Sequence, residues 1–248
     1  MDEYRKHIQE AFGESSEDSS DDGDDRQQQP QGSNIGGEAQ FIFGENPNWE
    51  RISEIKGLSL CRDFLTADQQ STLLASILQE GWFSDASHNQ AMRFGDLPAW
   101  ATELSTSIQE LIQYSDYDPD SMEMNEQEFI FPSELLIREP LFNQLIVNSY
   151  QPGEGICAHV DLMRFEDGIA LVSLESSCVM HFSRVENGDE KKIPVYLTPG
   201  CLLLISGESR YEWKHEINRK PGFQKWDGLE IDQKRRTSIT LRKLCKSD

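Results

Sequence analysis

Between residues 145 and 244 the chain breaks into short apolar and β-branched runs, too closely spaced to be anything but strands. They are LIVNSY (145–150), IALVSL (169–174), CVMHFSR (178–184), IPVYLT (193–198), CLLLIS (201–206), YEWKHEI (211–217) and RTSITLRKL (236–244). Turn signals punctuate them: Gln151-Pro152-Gly153, Asn187-Gly188-Asp189 and Pro199-Gly200. Many short strands joined by tight turns predict a β sandwich or barrel. No run approaches the ~18 continuous apolar residues of a membrane span.

Upstream, the apolar period changes to helical. Thr66 and Gln69 have the spacing of a capping box, Leu73, Leu74, Ile77 and Leu78 recur at helical intervals, and Gly81 suits the stop. A second helix is expected from Pro98 to about Tyr114, burying Trp100, Leu104, Ile108, Leu111 and Ile112. The segment between the helices is polar with interspersed aromatics and reads as a loop or short hairpin. Helices before strands place this chain in the α+β class, with helices packed on one face of the sheets.

Residues 1–39 hold eleven acids and three bases, and are rich in Ser, Asp, Gln and Gly. They have almost nothing to bury, so a disordered acidic tail is expected at 1–39 and a folded domain at 40–248. Of the net charge of −21, the tail carries −8 and the domain −13. An acidic body repels phosphate at long range, which excludes a generic nucleic-acid binder but leaves room for a local basic rim. The five cysteines (Cys61, Cys157, Cys178, Cys201, Cys245) are odd in number and lack CxxC spacing. With no signal peptide legible, they predict reduced thiols and a cytoplasmic or nuclear setting.

The chemistry is carried by few residues. In His159-Val160-Asp161 both side chains fall on one face of an extended segment. His215 lies far downstream in YEWKHEI and has to return through the fold. Two imidazoles and a carboxylate suit Fe(II) with open positions. Zinc is an alternative metal, His181 is the rival third ligand, and Cys157 is read as structural. A hydrogen-bonded His-Asp loop pair is the plain alternative for His159 and Asp161. Arg236 and Arg242 share strand parity with Ser238 and Thr240, so both guanidinium groups look one way. Buried arginines need negative partners, and a dicarboxylate would supply them. Asn148 and Tyr150 form a further same-face pair able to donate hydrogen bonds.

These residues, Asn148-x-Tyr150, His159-x-Asp161, His215 and Arg236-x5-Arg242, stand in the order and spacing of the AlkB-type Fe(II)/2-oxoglutarate dioxygenases, which the chain resembles over roughly 145–244. NSYQPGEGICAHVD, LLLISGESRYEWKHEI and RRTSITLRK look most like the oxygenase module of the family branch that hydroxylates a modified wobble uridine in tRNA. The resemblance implies a double-stranded β-helix (jelly roll) with N-terminal supporting helices. It implies Fe(II) at His159, Asp161 and His215. It also implies 2-oxoglutarate held by Asn148, Tyr150, Arg236 and Arg242, one arginine per carboxylate, and O2 as oxidant. Relatives that repair DNA carry an acid where this chain has Met163, and the family often has an Asn between the arginines where this chain has Ser238.

Arg93 and Phe94, read as lying in a polar loop, together with Met163 and Arg210, are the candidate substrate contacts. Trp100 and Phe83 are expected in the core. Three functions are in competition: an oxygenase acting on nucleic acid, most directly RNA or tRNA; one acting on protein, which suits the acidic body; and a non-catalytic interaction protein.

Overall fold

The computed structural model describes residues 48–85, 88–116, 130–220 and 222–246. The expected tail at 1–39 and its boundary lie outside them. The elements run β1 (Trp49–Arg51), β2 (Leu58–Cys61), α1 (Ala67–Gln79), β3 (Gln90–Phe94), α2 (Ala99–Asp116), α3 (Ser133–Leu136), β4 (Gln144–Tyr150), β5 (Ile156–His159) and β6 (Ile169–Leu174). They continue with β7 (Cys178–Glu186), β8 (Asp189–Leu197), β9 (Leu202–Ile205), α4 (Glu208–Tyr211), β10 (Lys214–Ile217), β11 (Lys225–Trp226), β12 (Leu229–Glu230) and β13 (Arg236–Arg242).

Among the described residues the strands form two main antiparallel sheets. A seven-stranded sheet has the order β1-β2-β9-β6-β13-β4-β3, and a four-stranded sheet has the order β5-β10-β7-β8. β11 and β12 make a separate ribbon. This is the expected jelly roll. No described helix is long and apolar enough to cross a membrane.

The helices form where the sequence signals them. Thr66 and Gln69 cap each other: Gln69 N donates to Thr66 Oγ1 at 3.2 Å, and Thr66 N donates to Gln69 Oε1 at 2.8 Å. Gly81, with φ +71°, follows the end of α1. The Pro98 carbonyl accepts from Ala101 N and Thr102 N and so starts α2 one residue later than expected.

Period two then sorts each central strand into two faces. Leu145 and Val147 of β4, Ala170, Val172 and Leu174 of β6, Leu202 and Leu204 of β9, and Ile239 and Leu241 of β13 pack against Leu73, Ile77, Trp100, Leu104, Ile108 and Leu111 of the helices. Trp82 and Phe83 border the same cluster. The alternate residues Ile169, Leu171, Leu203 and Ile205 pack against Met180, Phe182, Val195, Leu197 and Trp213 of the second sheet and its approach. Each fully buried leucine-sized side chain contributes about 1.5–3 kcal/mol. The inner face of β13 is different. There Arg236, Ser238, Thr240 and Arg242 are all buried between the sheets.

Three sequence expectations are corrected here. The YEWKHEI strand begins only at Lys214, because α4 turns the chain first. The segment holding Arg93 and Phe94 is not a loop: both lie in β3, an edge strand paired with β4. β5 was not expected as a strand; Gly and Pro before it weaken its signal.

Candidate metal and co-substrate site

β5 and β10 are antiparallel neighbours, and His159 stands directly opposite His215 in their register. The ring centroids are 4.3 Å apart. Asp161 follows β5 by two residues. One ligand atom from each of His159, Asp161 and His215 lies within 4.8 Å of the others. His181 is on the neighbouring strand opposite Glu216, its ring against Phe223, and does not join this cluster.

Each member is prepared for a cation. Nδ1 of His159 lies 2.8 Å from the Cys157 carbonyl, which only accepts, so Nδ1 is the donor of that bond and Nε2 is the ring atom turned to a metal. Burial lowers the pKa of His215 to about 3, so this imidazole is neutral. Burial pushes the Asp161 carboxyl up, but the nearby positive groups together, Arg242 foremost and then His215, His159 and Arg210, outweigh it and leave the pKa at about 2. Arg242 Nη2 stands 2.5 Å from Asp161 Oδ1. The pair is an ion pair without hydrogen-bond alignment, since Oδ1 has no geometrically satisfied donor. The Cys157 thiol is exposed rather than packed, and its carbonyl does the orienting. All five cysteines are free thiols.

The two arginines differ. Arg242 is tied to Asp161 and donates from Nη1 to Gln144 Oε1 at 3.3 Å, with Phe165 under its plane at 5.1 Å. Its Nε is buried without a hydrogen-bond partner among the described residues. Arg236 donates from Nε to the Ser173 hydroxyl at 2.9 Å, while Nη1 and Nη2 are buried and have no hydrogen-bond partner among the described residues. A buried guanidinium facing only a hydroxyl and, at 5.6 Å, the Tyr150 ring is costly unless an anion completes it. Arg236 lines an open recess shared with Tyr150, Glu154, Cys178, Ile217 and Lys234. Burial raises the Tyr150 phenol, so its O–H stays a donor. Asn148 Oδ1 accepts from Gln90 Nε2 at 2.7 Å, which leaves its NH2 as the free end of the amide. The donor set, an ionised carboxylate with two imidazoles beside an incomplete arginine fork, fits a divalent iron and a dicarboxylate.

Among the residues considered from sequence for substrate, Phe94 and Met163 are 46% and 64% exposed, and Arg93 is exposed. Arg210 is not at the surface: it is 1% exposed and binds backbone carbonyls of the Asp161 loop. Its assignment to substrate is therefore corrected. Gln90, Gln144 and Ser173 were missed. Gln144 shares strand parity with Asn148 and Tyr150, and Ser173 is a polar interruption of an apolar strand, so parity alone could have found both.

A family profile described as the 2OG-Fe(II) oxygenase superfamily matches residues 57–242. Uncharacterized protein L905 of Acanthamoeba polyphaga mimivirus is 28% identical over 198 residues, covering 79% of this chain and 89% of that protein. The alkylated DNA repair protein ALKBH8 homolog of Arabidopsis thaliana is 28% identical over 222 residues, covering 77% of this chain and 59% of the relative. The tRNA (carboxymethyluridine(34)-5-O)-methyltransferase alkbh8 of Xenopus tropicalis is 30% identical over 185 residues, 71% of this chain but 27% of the relative. The chain thus spans only part of the last two. The solved structure of OsALKBH1 superposes with a TM-score of 0.55 at 16% identity, covering 79% of this chain and all (100%) of that one, a likeness of fold. With the jelly roll and the family profile in agreement, this chain belongs to the 2OG-Fe(II) oxygenase superfamily and is an oxidoreductase that works with Fe(II), 2-oxoglutarate and O2.

Proposed function

We propose that this chain oxidises a C–H bond on a nucleic acid, most directly RNA, with iron at His159, Asp161 and His215. The observation that carries the co-substrate half is the pair of buried, unpartnered Nη groups of Arg236 in a recess shared with Tyr150. Arg236 grips one carboxylate of 2-oxoglutarate. Tyr150 and the Asn148 amide add neutral donors, and Arg242 offers Nε to the other end while holding Asp161. When bound, iron with 2-oxoglutarate and O2 supplies the oxidant, with succinate and CO2 as co-products. The residues keep Asp161 ionised and His215 neutral.

The nucleic-acid half rests on the rim. Arg164 lies over exposed Phe94 at 5.4 Å, and Arg93 lies over Trp82 at 4.5 Å. Met163 and Arg164 directly follow the Asp161 segment in the chain. Guanidinium groups on aromatic faces suit a single-stranded nucleic acid, whose phosphates take the charge and whose bases stack. The names of the Arabidopsis and Xenopus relatives refer to DNA repair and to tRNA, in keeping with this reading. Incubating iron-loaded protein with tRNA and mRNA, followed by nucleoside mass spectrometry, should show a 2-oxoglutarate-dependent change absent with His159→Ala. Peptide oxidation without any nucleoside change would overturn the nucleic-acid reading.

A further inference from the structure

We propose that Arg210 is a positioning residue that presets the metal site by locking the Asp161 loop onto the turn that delivers His215. The two ligands come from separate segments: Asp161 follows β5, and His215 sits in β10. Between β9 and β10 the chain makes the short turn α4, entered through Gly207 at φ 54°, ψ −126°. Positive φ favours glycine there.

From this turn Arg210 reaches under the Asp161 loop. Nη1 donates to the Asp161 carbonyl at 2.9 Å, and Nη2 donates to the Leu162 and Phe165 carbonyls at 2.8 and 3.1 Å. The loop's far end is fastened to the same turn: the Asp167 carboxylate accepts from Gly207 N at 3.0 and 3.1 Å, and from Gly168 N at 2.7 Å. One turn therefore grips residues 161–167 at both ends and continues directly into buried Trp213 and His215.

Carbonyl oxygens accept but do not neutralise, so Arg210 is a buried cation held by dipoles, and burial lowers its pKa. Such a group is costly, and a hydrophobic residue of similar volume would fill the space at less expense. What a hydrophobe cannot do is fix three carbonyls of one loop at once, which the planar fork does. With the joint in place, the ligands are spaced before metal arrives. Without it, the loop must be ordered out of the metal's own binding free energy. Arg236, on a separate strand, is untouched by this joint.

The inference rests on the metal reading of His159, Asp161 and His215. Mn(II) binding to metal-free protein is the test, followed by titration calorimetry, with Co(II) absorption as a second readout of coordination. Arg210→Gln should raise the Mn(II) Kd by about 10–100-fold, the range found when groups supporting metal ligands are removed. Arg210→Lys should raise it as well, because one ammonium keeps the charge but loses the fork. The KM for 2-oxoglutarate at saturating iron should not move. If Arg210→Gln does not hold its fold by circular dichroism, Arg210→Lys and Asp167→Asn decide in the same measurement. An unchanged Mn(II) Kd in the folded variants overturns the inference. If His159→Ala binds Mn(II) as well as the parent, the metal reading itself fails instead.

Discussion

His215 lies directly across the strand pair from His159, with ring centroids 4.3 Å apart, although the two are widely separated in the chain. The β5–β10 ladder thus does for the imidazoles what a metal would otherwise have to do. Replacing His215 by Ala should abolish Fe(II)-dependent succinate formation, a loss of more than the roughly 10–100-fold expected for a supporting residue. Full turnover in that variant would show the iron to be held elsewhere.

Arg236 is predicted to trade stability for binding. Arg236→Met removes a buried fork with no anion, so the protein without co-substrate should melt at the same or a higher temperature, by analogy with buried charges replaced at a gain of about 1–4 kcal/mol. Charge-assisted hydrogen bonds of about 1.5–3 kcal/mol each should disappear from 2-oxoglutarate binding. Thermal melts with and without 2-oxoglutarate check both: the parent should be stabilised by ligand and the variant should not. A ligand-induced shift in the variant equal to the parent's would remove Arg236 from the site.

The metal-free fold should weaken in mild acid. His215 protonates near 6.5 when unfolded but only at about 3 when folded, because burial disfavours the cation. Between those values the unfolded chain binds the extra proton, so stability is full above about pH 6.5 and is lost as pH falls toward 3, with a slope approaching about 1.4 kcal/mol per pH unit. Asp161 has the usual carboxylate sign: held at about 2 against an ordinary 3.8, it stabilises above pH 3.8 and that share is lost as pH falls through 2. Urea midpoints of metal-free protein at pH 7 and pH 5.5 should differ, and His215→Asn should flatten the difference. Identical midpoints in the parent would contradict a buried neutral imidazole.

The rim makes a separable prediction. The double change Phe94→Ala with Arg164→Ala should weaken RNA binding and shrink its salt slope, since one phosphate contact is lost. Substrate-free decarboxylation of 2-oxoglutarate should persist, because neither side chain belongs to the triad or to the co-substrate clamp. Fluorescence anisotropy over a salt series measures the first, and CO2 release the second. An undiminished RNA affinity would move the substrate path away from this edge.

Much of the site was legible along the chain because strand parity is local. Arg236 and Arg242 face inward together, and Ile239 and Leu241 face the helices, as the two-residue period requires. The capping box of Thr66 and Gln69 is equally local and forms as spelled. Partnership across the fold was not legible. Nothing in RRTSITLRKL says that Arg242 answers to Asp161 while Arg236 is left without an anion. Nor does SRYEWKH say that Arg210 turns inward to backbone carbonyls rather than outward to a substrate. Residue type and spacing determined which groups this protein has and which face of its own strand each one takes. Only the stacking of two sheets and the turn between β9 and β10 decided which groups meet, because burial and hydrogen bonding between distant segments depend on where the chain returns.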